Sequence, residues 1–312
     1  MGSCIEQESE KTEVANPKNY VDLVYPQLDT ENSRWFLFSS ASRPFGMVNL
    51  SPDTQIGGAW GSGYRYKTDT IKGFSHIHGW QISGLSVMPT EVSEKNEDSV
   101  FTDFYSKFSH DKEKVSLGYH SIELERYGIS AELTSTKRVG LHRYIFPSNK
   151  KPAILFNLNG MLGPCENRNG ELTKSDSNTL FGELEMAPTH RRPKPFKVYF
   201  HVQFDSEIDS ITMDESSGNY LVFTDSGKKE VLMKVGISYT SIENALNNSN
   251  EELDHWDFER VVKESKEEWN DVLGRIEVEG GTETQQRRFY TDLWPALQGR
   301  RTINDVNGSY PD

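Results

Sequence analysis

From about Tyr20 to Tyr239 the chain alternates apolar and polar residues with a period of two, and turn-forming clusters interrupt it repeatedly. A period of two puts successive side chains on opposite faces of a strand. In residues 197–204, Val198, Phe200, Val202 and Phe204 share one face, while Tyr199, His201 and Gln203 share the other. Residues 231–239 and 154–158 read the same way, and the breaks at 147–149, 216–219 and 225–227 supply the Pro, Asn and Gly that turns need. Strands with one apolar face must cover it with another layer, so the alternation predicts a mainly β fold, a large antiparallel β-sandwich. With 16 Phe, 13 Tyr and 6 Trp in 312 residues, such a sandwich has the material for a substantial core.

The period changes near residue 258. Phe258, Val261, Val262, Ser265, Trp269, Val272 and Leu273 recur at three- and four-residue intervals, with Glu259, Lys263, Glu264, Lys266 and Glu267 opposite them. This predicts an amphipathic helix closed by Gly274, with Trp256 and Trp269 as core. A strand-like run follows at 275–279. Thr282 with Gln285 three residues on is a capping-box signature, opening a second helix that carries Phe289, Leu293 and Leu297, is weakened by Pro295 and ends near Gly299. The expected organisation is a tail at 1–17, a β-sandwich domain at 18–253, a linker helix and strand at 254–281, and the truncated start of a helical domain at 282–312. That last segment, whose apolar stripe calls for partner helices, is expected to be poorly ordered, or else to pack in a non-native way against a neighbouring molecule.

Charge and cysteine content narrow the function. The net charge of −13 disfavours a phosphate backbone or an anionic membrane as partner, so no nucleic-acid role is expected. No run of about 18 apolar residues is present to span a bilayer. Two cysteines, Cys4 and Cys165, exclude a disulfide framework. Cys4 follows Gly2 and Ser3 and precedes an acidic, polar stretch, the pattern of a processed lipoprotein with an acylated cysteine. A plain polar tail with an incidental cysteine reads equally well. The only membrane contact expected is that lipid anchor, at the cell surface or in the periplasm.

The stretch from Ser42 to Thr90 is the least like scaffolding. Glycines crowd it around Trp60, Arg65, His76, His78 and Trp80, so a permissive backbone coincides with large, polar-edged side chains, as in a recognition loop. Trp60 and Trp80 suit stacking on a sugar ring, or packing against a neighbouring loop. His76 and His78 share one side of an extended segment; hydrogen bonding to a sugar hydroxyl and burial as structural groups are both open, and no ligand set at a familiar spacing makes them a metal site. Arg65 suits a hydroxyl contact or a carboxylate pair, and Arg43 the latter. Nucleophile-elbow, Walker and dinucleotide motifs are absent. Among 47 Asp and Glu, composition singles out no catalytic pair.

These strings have a family resemblance. RPFGM at 43–47, LSPD at 50–53, GYRY at 63–66, GFSHIH at 73–78 and MP at 88–89 closely resemble the N-terminal domain of glycoside hydrolase family 92. EVEGGT at 277–282, FYTDLW at 289–294 and DVNGSY at 305–310 resemble the start of that family's catalytic domain. The resemblance implies a β-sandwich joined by linker helices to a six-hairpin helical toroid. It implies a calcium-dependent, inverting exo-α-mannosidase acting on mannose-containing glycans, with α-1,2 linkages the expected target and bacterial N-glycan degradation the setting. The catalytic carboxylates and most of the Ca2+ site would then lie beyond this chain, which is expected to be inactive alone and to need its own C-terminal catalytic domain as partner. Trp60, Arg65, His76, His78 and Trp80 would form one wall of the sugar pocket. The rival reading is a non-catalytic carbohydrate-binding or adhesion module, against which the helical tail argues.

Overall fold

The computed structural model describes residues 19–31, 38–58, 63–92, 99–147, 151–225 and 227–311. Eighteen strands are present among them. In the first half these are β1 (Ala41–Ser42), β2 (Asn49–Asp53), β3 (Thr70–Ile71), β4 (Gly73–His78), β5 (Ser83–Thr90), β6 (Ser106–Lys107), β7 (Lys114–Ser116), β8 (Tyr119–Leu124) and β9 (Ile129–Ser135). Then come β10 (Val139–Ile145), β11 (Ala153–Asn157), β12 (Met161–Leu162), β13 (Cys165–Lys174), β14 (Thr179–Met186), β15 (Phe196–Phe204), β16 (Ile208–Met213), β17 (Tyr220–Thr224) and β18 (Glu230–Ser238).

Sixteen of them form the expected antiparallel sandwich, and β3 and β6 pair with each other in a separate two-stranded ribbon. One sheet has seven strands in the order β1-β2-β4-β5-β11-β17-β16, the other nine in the order β12-β13-β14-β15-β18-β10-β9-β8-β7. The alternation read from the sequence is the packing pattern: Val198, Phe200, Val202 and Phe204 of β15 are wholly buried. Between the sheets sit Phe74 and Tyr144, with ring centroids 6.4 Å apart, and the imidazoles of His76 and His142 at 4.9 Å.

Three α-helices follow: α1 (Ile242–Glu252), α2 (Phe258–Leu273) and α3 (Glu283–Gln298). Helix α1 lies inside the segment expected to be pure sandwich. Its buried residues are Ala245, Asn248 and Ser249, small or polar, so it has no apolar stripe to announce it. It approaches β18 at Gly236, where a Cβ would stand 2.0 Å from Ser249 Oγ. Helix α2 matches expectation, with Asp257 capping Arg260 N and Phe258, Val261, Ser265, Trp269 and Leu273 buried. Gly118, at φ +80, lets it close on the β7–β8 turn, since a Cβ there would lie 1.9 Å from Ser265 Oγ.

Three segments depart from the expectations. Residues 275–279 are not a strand. Residues 282–311 pack onto the sandwich, because the face that α3 buries is Tyr290, Thr291, Trp294 and Gln298 and not the Phe289, Leu293 and Leu297 stripe, which is only half-buried. Trp294 packs edge-on against Trp269 at 6.3 Å and Phe38 at 6.0 Å, and Gln298 Nε2 donates to Ser39 O at 2.6 Å. Those anchors carry the helix past Pro295 for one more turn. The capping box forms as read, with Thr282 N donating to Gln285 Oε1 at 2.8 Å. Residues 20–24 are not strand either. Tyr20 wedges against Tyr290 at 5.1 Å and its N–H donates to Asn270 Oδ1 at 2.7 Å.

Candidate functional site

Three of the candidate residues, His76, His78 and Trp80, are spaced along β4 and the turn after it, from the interior outward. His76 is innermost. Its Nδ1 meets Leu85 O at 2.7 Å, a carbonyl freed from the ladder because Leu85 sits at φ +54 and interrupts the β4–β5 register. A left-handed leucine costs on the order of 1–3 kcal/mol and persists only where its surroundings demand it. A carbonyl can only accept, so Nδ1 carries the proton and Nε2 must accept. It does so from His142 Nε2 at 2.9 Å, which leaves His142 Nδ1 to accept from Tyr144 O–H at 2.7 Å. Every proton in this buried relay is thereby assigned. Burial pushes His76 down to about 4 and His142 well below the ordinary imidazole range, and the proximity of other imidazoles works the same way. His76 has no exposed surface, so its partners are protein groups.

His78 is also buried, at the sandwich edge. Its Nδ1 faces Asn49 O at 2.7 Å and its Nε2 faces Asp53 Oδ1 at 2.8 Å, so both nitrogens are placed as donors. Asp53 Oδ2 accepts from Ser75 Oγ at 2.5 Å, which completes a satisfied buried pair. The ring backs onto Gly63, where a Cβ would lie 3.4 Å from Cδ2. Gly63 closes the loop that starts at Thr54: the N–H groups of Thr54 and Gln55 both donate to Gly63 O at 3.0 Å, and Gly63 N returns a bond to Gln55 O at 2.7 Å. His78 therefore braces the neck of the loop that carries Trp60. Trp60 itself and Cys4 lie outside the described residues. Arg65 sits at the same neck, 4% exposed, its N–H held by Thr54 Oγ1 at 2.7 Å and its guanidinium pKa lowered by burial.

Trp80 is the described candidate that reaches solvent, 43% exposed in the turn between β4 and β5. The Arg191 guanidinium lies 5.1 Å from its ring centroid. Arg43 takes the carboxylate-pairing role expected of it, bridging to Glu268 at 2.9 Å and Glu264 at 3.4 Å of α2. The sequence reading missed His142, Tyr144, Asn49 and Asp53. A histidine inside an otherwise apolar strand, at 142, was the available signal; Asp53 had none.

The cavity beside Asp53 and Ser75, lined also by Ser86, Asn157 and Asn167, encloses about 20 Å³, room for one water and not for a sugar ring. A calcium ion needs about six to eight converging oxygens. Among the described residues no group of three or more His, Cys, Asp or Glu side chains converges on a metal position, and the two site histidines spend their nitrogens on protein partners. These residues by themselves do not fit a calcium ion, and the family resemblance puts most of that site beyond this chain.

Comparison with known proteins gives the context. The chain is 24% identical over 302 residues to a protein of Arthroderma benhamiae named as an uncharacterized secreted glycosidase, covering 83% of this chain and 39% of that one. A family 92 α-mannosidase from Bacteroides thetaiotaomicron superposes with a TM-score of 0.78 at 24% identity, over 94% of this chain and 43% of that one. Its complex with mannoimidazole gives 0.79, with 42% of that chain covered. An inverting family 92 mannosidase from Bacteroides thetaiotaomicron VPI-5482 gives 0.77 at 22% identity, over 94% and 42%. These likenesses show a shared fold, and the chain spans about two fifths of the length of each relative. Residues 23–238 match the family model of the glycosyl hydrolase family 92 N-terminal domain, and residues 244–312 match that of its catalytic domain. On a fold, an element order and a family match that together run from residue 23 to residue 312, the chain belongs to glycosyl hydrolase family 92.

Proposed function

We propose that this chain forms the sandwich and the first helices of a secreted, inverting exo-α-mannosidase that trims terminal α-1,2-linked mannose from glycans. The observation that carries the reading is the family match across sandwich and helices together, in one chain and in order. The mannoimidazole-bound relative supports mannose as the sugar. Inversion needs two carboxyl groups about 6.5–9.5 Å apart, one protonating the leaving oxygen and the other activating water on the opposite face of the ring. In this proposal both come from residues of the helical domain beyond position 312, as do the oxygens for calcium, and the 312 residues alone are inactive. The sandwich contributes one wall of the pocket through the loop that carries Trp60 and through Trp80, with Arg65 and His78 holding the neck and His76 anchoring β4 from inside. Cys4, if lipidated, tethers the enzyme to the cell surface or periplasmic membrane.

The test compares this chain with the full-length protein on α-1,2-, α-1,3- and α-1,6-mannobiose, following the anomer released by NMR. The expected result is β-mannose from the α-1,2 substrate with the full-length protein, abolished by a calcium chelator, and no turnover by residues 1–312. Release of α-mannose, or turnover by the 312 residues, overturns the proposal.

A further inference from the structure

Asp305 is wholly buried, and its carboxylate is met by neutral donors. Oδ2 accepts from Ser238 Oγ at 2.9 Å and from Thr240 Oγ1 at 2.6 Å, and Oδ1 accepts from Asn248 Nδ2 at 2.7 Å. Ser238 ends β18, Thr240 leads into α1 and Asn248 lies on α1, so one side chain beyond α3 gathers the edge of the sandwich and the first helix. The orientation of Asn248 is fixed. Its Nδ2 also donates to Ile237 O at 2.8 Å, and its Oδ1 accepts from Val306 N at 2.9 Å. A carboxylate withdrawn from water is tolerated where its lone pairs are filled in this way.

The residues around Asp305 are fastened to the same end of the sandwich. Thr302 N donates to Phe45 O at 2.9 Å, Arg138 Nε to Asn304 O at 2.7 Å, and Asn307 Nδ2 to Asn244 Oδ1 at 2.8 Å. Phe45 offers its carbonyl from φ +57, a conformation that a bulky residue keeps only where its surroundings demand it. Asp305 N donates to Ser309 O at 2.8 Å and Gly308 N to Asp305 O at 2.9 Å, which closes a turn. The neighbour of this segment is the β4–β5 turn that carries Trp80. A Cβ on Gly79 would stand 2.7 Å from Arg301 Nη1, and Gly79 N closes its own turn on Ile82 O at 2.8 Å. A fixed segment with Ile303, Val306 and Tyr310 exposed along it thus adjoins the turn of the exposed indole.

We propose that Asp305 is a positioning residue of the sugar site: through Ser238, Thr240 and Asn248 it holds residues 302–310 against the β4–β5 turn, so that this segment and Trp80 form one side of the pocket together. The sugar in this proposal rests on the mannosidase reading; the coupling of segment and turn rests on the geometry of the chain alone. Amide exchange of the chain tests the coupling. Asp305→Asn sets an amide donor against groups that already donate, so the amides of Thr302, Val306 and, through Arg301, Gly79 should exchange about tenfold faster or more, with β14 and β15 unchanged. The full-length protein tests the consequence on α-1,2-mannobiose. KM should rise about tenfold in Asp305→Asn with kcat nearly unchanged, because a displaced wall loses contacts made alike in the ground and transition states. Thr240→Val should act in the same direction more mildly and Thr240→Ser should restore wild-type values, which keeps the test open where Asp305→Asn misfolds. Unchanged exchange at Gly79, or a lowered melting temperature with wild-type KM in the folded enzyme, overturns the proposal and leaves Asp305 as scaffold. An inactive wild-type full-length protein counts against the mannosidase reading, while the exchange result still decides the coupling.

Discussion

Acidification from pH 7 toward 4.5 should destabilise the sandwich before its carboxylates begin to titrate, through the relay of His76, His142 and Tyr144. Both imidazoles are neutral when folded, since Leu85 O and Tyr144 O–H fix a single proton on each ring. The unfolded chain takes up protons as pH drops below the ordinary 6.5, while the folded chain does not until about 4 for His76. More protons on the unfolded state means that stability rises with pH across that window, is complete above it and is lost on the way down. For His76 alone, a fall from 6.5 to about 4 is worth about 3 kcal/mol, and His142 acts in the same direction. Glu113, Glu132 and Glu264 have pKa values lowered below the usual carboxylate range, so their loss of stabilisation falls at still lower pH. Urea unfolding at half-unit steps from pH 7.5 to 4.5 reads the slope, which should reach about two protons' worth near pH 5 from the relay, with His201, also lowered by burial, adding to it. His76→Gln should remove about one proton's share. A flat stability profile between pH 7 and 5, or an NMR titration of His76 near 6.5 in the folded protein, would sink the reasoning.

Tyr144→Phe leaves His142 Nδ1 buried without its donor, and should cost about 1–3 kcal/mol in chemical denaturation with the fold unchanged; a neutral effect would mean that water replaces the hydroxyl. Gly118→Ala places a Cβ against Ser265 Oγ at a left-handed backbone position, and should destabilise by more than about 1 kcal/mol, with the α2 amides exchanging faster than the strands. His78→Ala strands the buried Asp53 carboxylate and should cost about 3–5 kcal/mol, whereas Trp80→Ala, on the surface, should leave the melting temperature nearly unchanged while weakening sugar binding about tenfold or more. Equal melting losses for the two variants would return Trp80 to the scaffold.

The sequence made the sheets legible because burial on one face forces alternation, which β8 displays from end to end, whereas β18, covered on its second face by α1, is buried throughout after Glu230. It made α2 legible for the same reason at a different period. It hid α1, whose packing face is Ala245, Asn248 and Ser249 and whose close approach depends on a glycine in the facing strand. It misjudged α3 because Phe289, Leu293 and Leu297 form the more hydrophobic stripe, yet Tyr290 and Trp294 face the groove between Tyr20, Phe38 and Trp269. A periodicity reports which faces can be buried, not which one meets a surface. At the candidate site the histidines were visible as residues, but their roles depend on Leu85, Asp53, Asn49 and His142, partners supplied by register and fold.

The wedge of Tyr20 between α2 and α3 also bears on how such a chain comes off the ribosome. Its docking groups, Asn270 and Tyr290, are synthesised about 250 and 270 residues later, at the cost in search and loop closure that long sequence separation imposes. Tyr25 N likewise waits for Thr291 Oγ1, 266 residues on, at 2.9 Å. The earliest described residues to emerge are therefore among the last to settle. A sandwich cut at residue 238, where the first family match ends, would keep its two sheets but leave Tyr20, Phe38 and Arg43 facing water in place of tyrosine, tryptophan and glutamate. The seam between the two halves of this protein follows a shared core, and the chain crosses it twice.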